Sequence, residues 1–315
     1  MLVNFNPAIF LLLTIKIIIM KKLFFAAVLC LLAVSCSTES VEQVINEQAV
    51  APVTVAVSGF AVQQGEFSGT RATPVSSYDN VKVLTLAFYK VSDGTEVYKH
   101  TQIRGSLPAG ETFGEFSTAL PLDNYTMVVL ANEGNNAITL TSPTTATYGE
   151  NNVKDTFVAT QAVNITTVSA VNLNATLNRI VTAVAVQSTD NRPAEVTHMR
   201  FTYSAGGKSF SPATGLATSN TGFVTTMDYS PSSVGNKTFT GGYLFLASDV
   251  QTMDVTIETL DAADGNVLFS KTITDVPLKR NRMTTLTGAI YSSANVTGSS
   301  FLIESDWIDA ENVNF

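Results

Sequence analysis

Along most of this chain apolar and polar residues alternate with a period of two. Val53-Thr54-Val55-Ala56-Val57-Ser58 sets valines on one face and small or polar side chains on the other, the pattern of a half-buried strand. Residues 81–89 (VKVLTLAFY) repeat it, Ser92-Asp93-Gly94 supplies turn chemistry, and Thr95-Glu96-Val97-Tyr98 starts the return arm of a hairpin. Residues 121–132 form another strand entered by a turn, and the Thr/Asn/Gly-rich stretch 133–160 reads as loops with short strands. Residues 173–186 are long enough for a helix, but their β-branched content and flanking strands favour one long strand. Strands at 197–203, 243–247, 253–260, 267–273 and 283–291 follow, with Asp264-Gly265-Asn266 as a hairpin turn. Short strands at a spacing of roughly 8–12 residues, separated by turn signals, are the mark of β-sandwiches. No amphipathic helices alternate with them, which disfavours a parallel βαβ sheet. The pattern predicts an all-β protein of two stacked β-sandwich domains, 53–170 and 171–315.

The N-terminus breaks this rhythm. Met20-Lys21-Lys22 followed by the apolar run 23–32 has the charged and apolar regions of an export signal. Ala33-Val34-Ser35-Cys36 then reads as a lipobox, whose small residues admit the signal peptidase and whose thiol takes the lipid. Leu32 lies one place earlier than the usual Leu-x-x-Cys spacing. A transmembrane helix over 8–34 is the competing reading. Lys16, Lys21 and Lys22 interrupt it, and a charge near a helix centre costs on the order of 2.5–3.5 kcal/mol. The reading adopted is a signal region over 1–35, with Met20 as a candidate start, and lipidation at Cys36. Residues 36–52 are polar and acidic, suited to a flexible tether.

Composition narrows the chemistry. Cys30 and Cys36 are the only cysteines, so the folded part has no disulfide, Cys metal site or Cys nucleophile. Of the 18 Lys and Arg residues, Lys16, Lys21 and Lys22 precede Cys36, leaving 15 against 26 Asp and Glu. An acidic surface with no basic stripe repels phosphate backbones, so nucleic acid is not an expected partner. The two histidines, His100 and His198, are far apart in sequence, and a Ser-His-Asp triad could be drawn around either only on paper. There is no H-E-x-x-H, P-loop or G-x-G-x-x-G after a strand. No cofactor, metal or catalytic residue is expected. Asn-x-Thr sites at Asn124, Asn164, Asn174, Asn236 and Asn295 carry no inference here, and the 279–282 run (KRNR) reads as a solvated turn or a small basic patch.

Several segments together resemble the fimbrillin-type pilus subunits of Bacteroidetes. They are the lipobox, a strand ending in Val57-Ser58-Gly59-Phe60, then Gly69-Thr70-Arg71-Ala72-Thr73, and the 81–89 strand with its Asp-Gly turn. Residues 275–288 (DVPLKRNRMTTLTG) and Trp307 shortly before the terminal Phe315 complete the set. The resemblance implies two stacked sandwiches of transthyretin-like, Greek-key type. It also implies a pilin that travels to the outer membrane as a lipoprotein and is cut after an arginine, here between Arg71 and Ala72, before joining a cell-surface fimbrium. Exposed loops are where nicking concentrates, although Gly-Thr-Arg is an ordinary loop sequence.

Such a cut would free the strand carrying Val53, Val55 and Val57. An unpaired edge above an apolar groove would remain, and a strand from the next subunit could refill it. That contact is head-to-tail and propagates as a filament. The candidate donor is the C-terminal segment, where Phe301, Ile303, Trp307, Val313 and Phe315 share odd positions; the alternative is that this segment is the last strand of its own domain. Expected partners are other fimbrial subunits, the outer membrane through the lipid, and host or bacterial receptors. Two readings compete with a shaft subunit: an accessory, anchor or tip subunit that keeps its lipid, and a glycan-binding surface lipoprotein. A hydrolase ranks third, because Asp306 and Asp309 are too ordinary a pair to mark an active site.

Overall fold

The computed structural model describes residues 48–61, 72–73, 75, 78–134, 138–228, 238–292 and 302–305. Strands account for the regular structure of these residues, in agreement with the all-β expectation. The first group is β1 (Val50–Ala61), β2 (Ala72–Thr73), β3 (Val81–Lys90), β4 (Glu96–Ile103), β5 (Glu115–Pro121), β6 (Asp123–Glu133), β7 (Thr139–Ser142), β8 (Thr145–Thr147), β9 (Thr156–Ile165) and β10 (Val171–Arg179). The second is β11 (Thr182–Ser188), β12 (His198–Tyr203), β13 (Ser209–Ser211), β14 (Leu216–Ala217), β15 (Phe223–Asp228), β16 (Thr238–Leu244), β17 (Val250–Leu260), β18 (Val267–Lys279), β19 (Met283–Gly288) and β20 (Leu302–Ser305).

One strand order is used twice. In the first sandwich β1 pairs with β10 in parallel and with β5 antiparallel, while β3 pairs with β4 and β6, and β6 with β9. In the second, β11 pairs with β19 in parallel and with β16 antiparallel, while β12 pairs with β15 and β17, and β17 with β18. Each sandwich encloses its own core. Val53, Val55, Phe60, Leu84, Phe88, Met127 and Leu177 fill the first; Val184, Met199, Phe201, Val255, Ile257 and Leu286 fill the second.

The short hairpins inserted between these strands join the halves. β7 and β8 pair with β13 and β14 in one small sheet, above a third core that combines Tyr89, Leu130 and Tyr148 with Phe210 and Phe245. Phe210 and Phe245 stack at 4.3 Å. This third core explains a departure from the sequence pattern. Residues 81–89 alternate like a half-buried strand, yet β3 is buried on both faces, because Leu84, Leu86 and Phe88 enter the first core while Ala87 and Tyr89 enter the third.

Two strand boundaries differ from expectation. β1 begins at Val50, so the last residues assigned to the tether are strand. The single long strand expected at 173–186 is two, β10 and β11, interrupted at Ile180 and Val181 where the chain crosses between sandwiches. β10 belongs to the first sheet, beside β1.

Candidate functional site

The strand that processing would release is central, not marginal. β1 is held between two neighbours: Val53 to Ala61 lie along β10, and Val50 to Ala56 lie along β5. Ala51, Val53, Val55 and Phe60 are sealed in the core, with Val57 nearly so, and the intervening residues are mostly exposed. Small irregularities fix its register. A bulge between Val57 and Gly59 returns Phe60 to the inward face, and Ser58 Oγ donates to the Ala175 carbonyl at 3.2 Å. The Val57 amide donates to the Gly114 carbonyl at 2.8 Å.

The wall formed by β5 is set by one buried side chain. Gln102 Oε1 accepts from the Gly114 amide at 2.8 Å, and its Nε2 donates to the carbonyls of Thr112 (3.2 Å) and Glu115 (2.8 Å). Gly114 has φ of 95°, a conformation open to glycine and strained for other residues. A Cβ there would stand 3.1 Å from Val75 Cγ1.

At the far end of β1, Phe60 sits in an aromatic box 5.0 Å from Phe157 and 5.2 Å from Tyr78. A buried ion pair lies behind it. Arg179 Nε donates to Asp155 Oδ1 at 2.8 Å and Nη2 donates to Oδ2 at 2.9 Å, while Nη2 also reaches the Tyr78 hydroxyl at 2.7 Å. Burial works against the Arg179 charge, but the facing Asp155 carboxylate together with Tyr78 and Tyr243 outweighs it and raises the guanidinium pKa above its ordinary value. The Tyr78 hydroxyl is pushed up as well, first by burial and then by Asp155. Arg104 completes the anchorage, with Nη2 donating to the Val75 carbonyl at 2.9 Å and Nε to that of Val81 at 2.9 Å. Val75 and Tyr78, downstream of residue 71, are therefore tied to the sheet by bonds that do not involve β1.

Val53, Val55 and Val57 thus lie together on the inward face of β1. Ala72 is the first residue of β2, which pairs with the end of β1 through Ala61 and Phe60. Ile303 lies in β20 opposite Leu286 of β19, so this part of the C-terminal segment forms the last strand of its own sheet. Cys36, Arg71, Phe301, Trp307, Val313 and Phe315 lie outside the described residues, as do the apolar run at 8–34 and the proposed start at Met20. What the sequence reading missed is the frame around β1: Gln102, Gly114, Tyr78, Asp155 and Arg179. Asp155 and Arg179 were the detectable ones, as charged residues opening and closing apolar strands, but their pairing across 24 residues leaves no local signature.

The histidines stand in two unrelated places. His100 Nε2 meets Glu111 Oε2 at 3.1 Å on the surface. His198 lies between Asp228 Oδ1 at 2.6 Å and Thr197 Oγ1 at 2.8 Å, superficially a hydroxyl–imidazole–carboxylate relay. The Thr197 hydroxyl, however, donates its proton to the Asp261 carbonyl at 2.6 Å, so the imidazole is not placed to accept it.

Below the end of β1 is a cleft of about 480 Å³ whose lining includes Ala61, Thr160, Asn178, Lys279, Arg280 and Asn281. Arg280 is tied to Asp249 and to the Thr214 carbonyl, each at 2.8 Å. Among the described residues the cleft lining contains no aromatic side chain, and so these offer no stacking platform for a sugar ring.

The profile of one protein family matches residues 47–307, from just before β1 to just beyond β20. The chain belongs to DUF6562, a family of unknown function. No curated protein matches it in sequence. Among solved structures it is similar to an adhesin candidate from Bacteroides ovatus, at 11% identity over 83% of this chain and 97% of that one, with a TM-score of 0.46. A candidate polysaccharide-binding protein from Bacteroides thetaiotaomicron aligns at 11% identity over 84% of this chain and 100% of that one (TM-score 0.42). The fimbrial anchor protein Mfa2 from Porphyromonas gingivalis aligns at 14% identity over 81% and 95% (TM-score 0.43). Likenesses this distant carry no functional weight.

Proposed function

We propose that this chain is a structural subunit of a cell-surface fimbrium. It is exported as a lipoprotein on Cys36, cut between Arg71 and Ala72, and polymerised head-to-tail by a strand that takes the place of β1, in the service of adhesion. The observation that carries this reading is the position of β1. Among the described residues it is the one strand that precedes the cut, it fills a slot between β5 and β10, and the chain beyond β2 is held at Val75 and Tyr78 by Arg104 and Arg179. Losing β1 uncovers two strand edges and an apolar trough at once, the requirements for β-augmentation.

Magnitude limits how the exchange runs. Val53, Val55, Val57 and Phe60 are each worth about 1.5–3 kcal/mol when buried, on the order of 6–12 kcal/mol together, comparable to the whole stability of a typical domain. The incoming strand therefore displaces β1 progressively and does not wait for an empty slot. Within the C-terminal segment, Phe301, Ile303 and Trp307 keep the alternation, but Asp309 and Glu311 fall on the same face, which favours the 301–307 part as the donor.

The strength of the seal around β1 also favours a second reading, a lipid-retaining anchor or accessory subunit whose first strand never leaves. The glycan-binding reading has less support, given the cleft without aromatics. The deciding experiment is intact-mass analysis with N-terminal sequencing of protein from sheared surface material and from membranes. A sheared chain starting at Ala72 is the expected result. Protein found only in membranes and starting at an acylated Cys36 would rule out the shaft role and leave the anchor.

A further inference from the structure

The two sandwiches share one strand order, and the repeat is incomplete at one place. In the second, β19 has β11 on one side and β20 on the other, antiparallel through residues 284–287. In the first, the equivalent strand β10 has β1 on one side, but on the other only Asn178 and Arg179 meet a neighbour, in β9. Along residues 171–177 that outer edge has no strand against it among the described residues. Burial records the difference. Leu286 is 0% exposed, whereas at the start of β10 Val171 and Leu173 are only half-buried against their core, burial becoming complete at Ala175 and Leu177. Val168, just before the strand, is 60% exposed.

This edge also lacks the usual guards. Strand edges are protected by lysines, prolines or bulges that discourage pairing with another chain. β18, at the end of its sheet, carries Lys271, Pro277 and a left-handed Asp275. β4, at the end of the other, carries Lys99 and Glu96. Residues 171–177 read VNLNATL, with no charge and no proline.

We propose that the outer edge of β10 is a docking edge for the C-terminal strand of a second copy of this chain, residues 302–305, added antiparallel as β20 adds to β19. The occupant is chosen by the molecule itself: the same strand order already accepts this segment at the equivalent place in the second sandwich. Ile303 stands opposite Leu286 there, and Leu173 lies on the inward face of β10 through its register with Val55. Docking here needs no cut at Arg71 and no departure of β1, so it stands or falls separately from the strand-exchange reading, and it would join copies that keep their lipid.

Trp307 is the single tryptophan, which makes the test direct. A synthetic peptide of residues 299–309 is titrated into the full chain carrying Trp307→Phe, following the peptide's own fluorescence, with amide hydrogen exchange on the mixture. Saturable binding is expected, with exchange at residues 171–177 slowed by roughly tenfold. The peptide is acidic through Glu304, Asp306 and Asp309, and Asn174 is exposed on β10. Asn174→Glu should therefore weaken binding while Asn174→Lys preserves or tightens it. Slowing confined to residues 284–287 would mean that the peptide only trades places with β20, and slowing confined to β5 would mean entry into the β1 slot; either overturns the proposal. Absence of binding overturns it too, as does an edge already protected before peptide is added.

Discussion

At the scale of single residues, the most consequential feature is the Arg179–Asp155 pair beneath Phe60. Removing one member of a buried pair leaves an uncompensated charge, a loss of about 3–5 kcal/mol. Arg179→Met should cost that much in denaturant unfolding, and Arg179→Met with Asp155→Leu should recover a large part of it. Equal losses in the single and double variants would show that the pair's charge is not what matters. Glu133 makes the opposite case. Burial first, then the nearby Asp155, raise its pKa above the ordinary value. A carboxyl whose folded pKa is raised binds its proton more tightly in the native state, so its charge costs stability above that folded pKa, and the cost fades as pH falls through it. Glu133→Gln should therefore raise the melting temperature at neutral pH, with the gain shrinking in acid. A gain independent of pH would point to packing instead.

Strand-scale order was the most legible part of the sequence, for a physical reason. Alternation is written locally, so the valines of β1, the Asp-Gly hairpin between β3 and β4 and the repeated strands of the second half could all be read from short windows. Partners were not legible. Nothing in residues 50–61 says that β10 lies on one side in parallel and β5 on the other, because that choice is made by the closure of the whole sheet. The boundary at 180–181 was hidden for a related reason: Ile180 and Val181 are as apolar as the strands they separate, since both are buried in the third core. The β5 wall offers a strand-scale test. Gly114→Ala forces a side chain into a left-handed backbone position and against Val75, a strain of about 1–3 kcal/mol. Exchange should quicken first in β5 and along residues 50–56 of β1. Uniform quickening across both sandwiches would mean that Gln102 and Gly114 do not set the β5 wall specifically.

For the whole molecule, the question is whether two sandwiches built on one plan behave as two domains or one. Their separate cores argue for two. The shared sheet of β7, β8, β13 and β14 argues for one, as does the third core in which Tyr89 and Leu130 of the first sandwich meet Phe210 and Phe245 of the second. Phe210 is fully buried and stacked on Phe245, and Phe→Ala at such a site costs about 3–5 kcal/mol. If the third core couples the halves, the full chain should unfold in a single calorimetric transition. Phe210→Ala should then split it, or lower both halves together by amide exchange. Two transitions in the unaltered chain would show that the sandwiches are independent. On the strand-exchange proposal the result bears on assembly, because a subunit in such a filament would be pulled at both ends: β1's slot lies in the first sandwich and the proposed C-terminal donor strand would leave from the second. Load passing between them must cross the third core, and coupling there is what would let a head-to-tail chain of such subunits resist extension as continuous units.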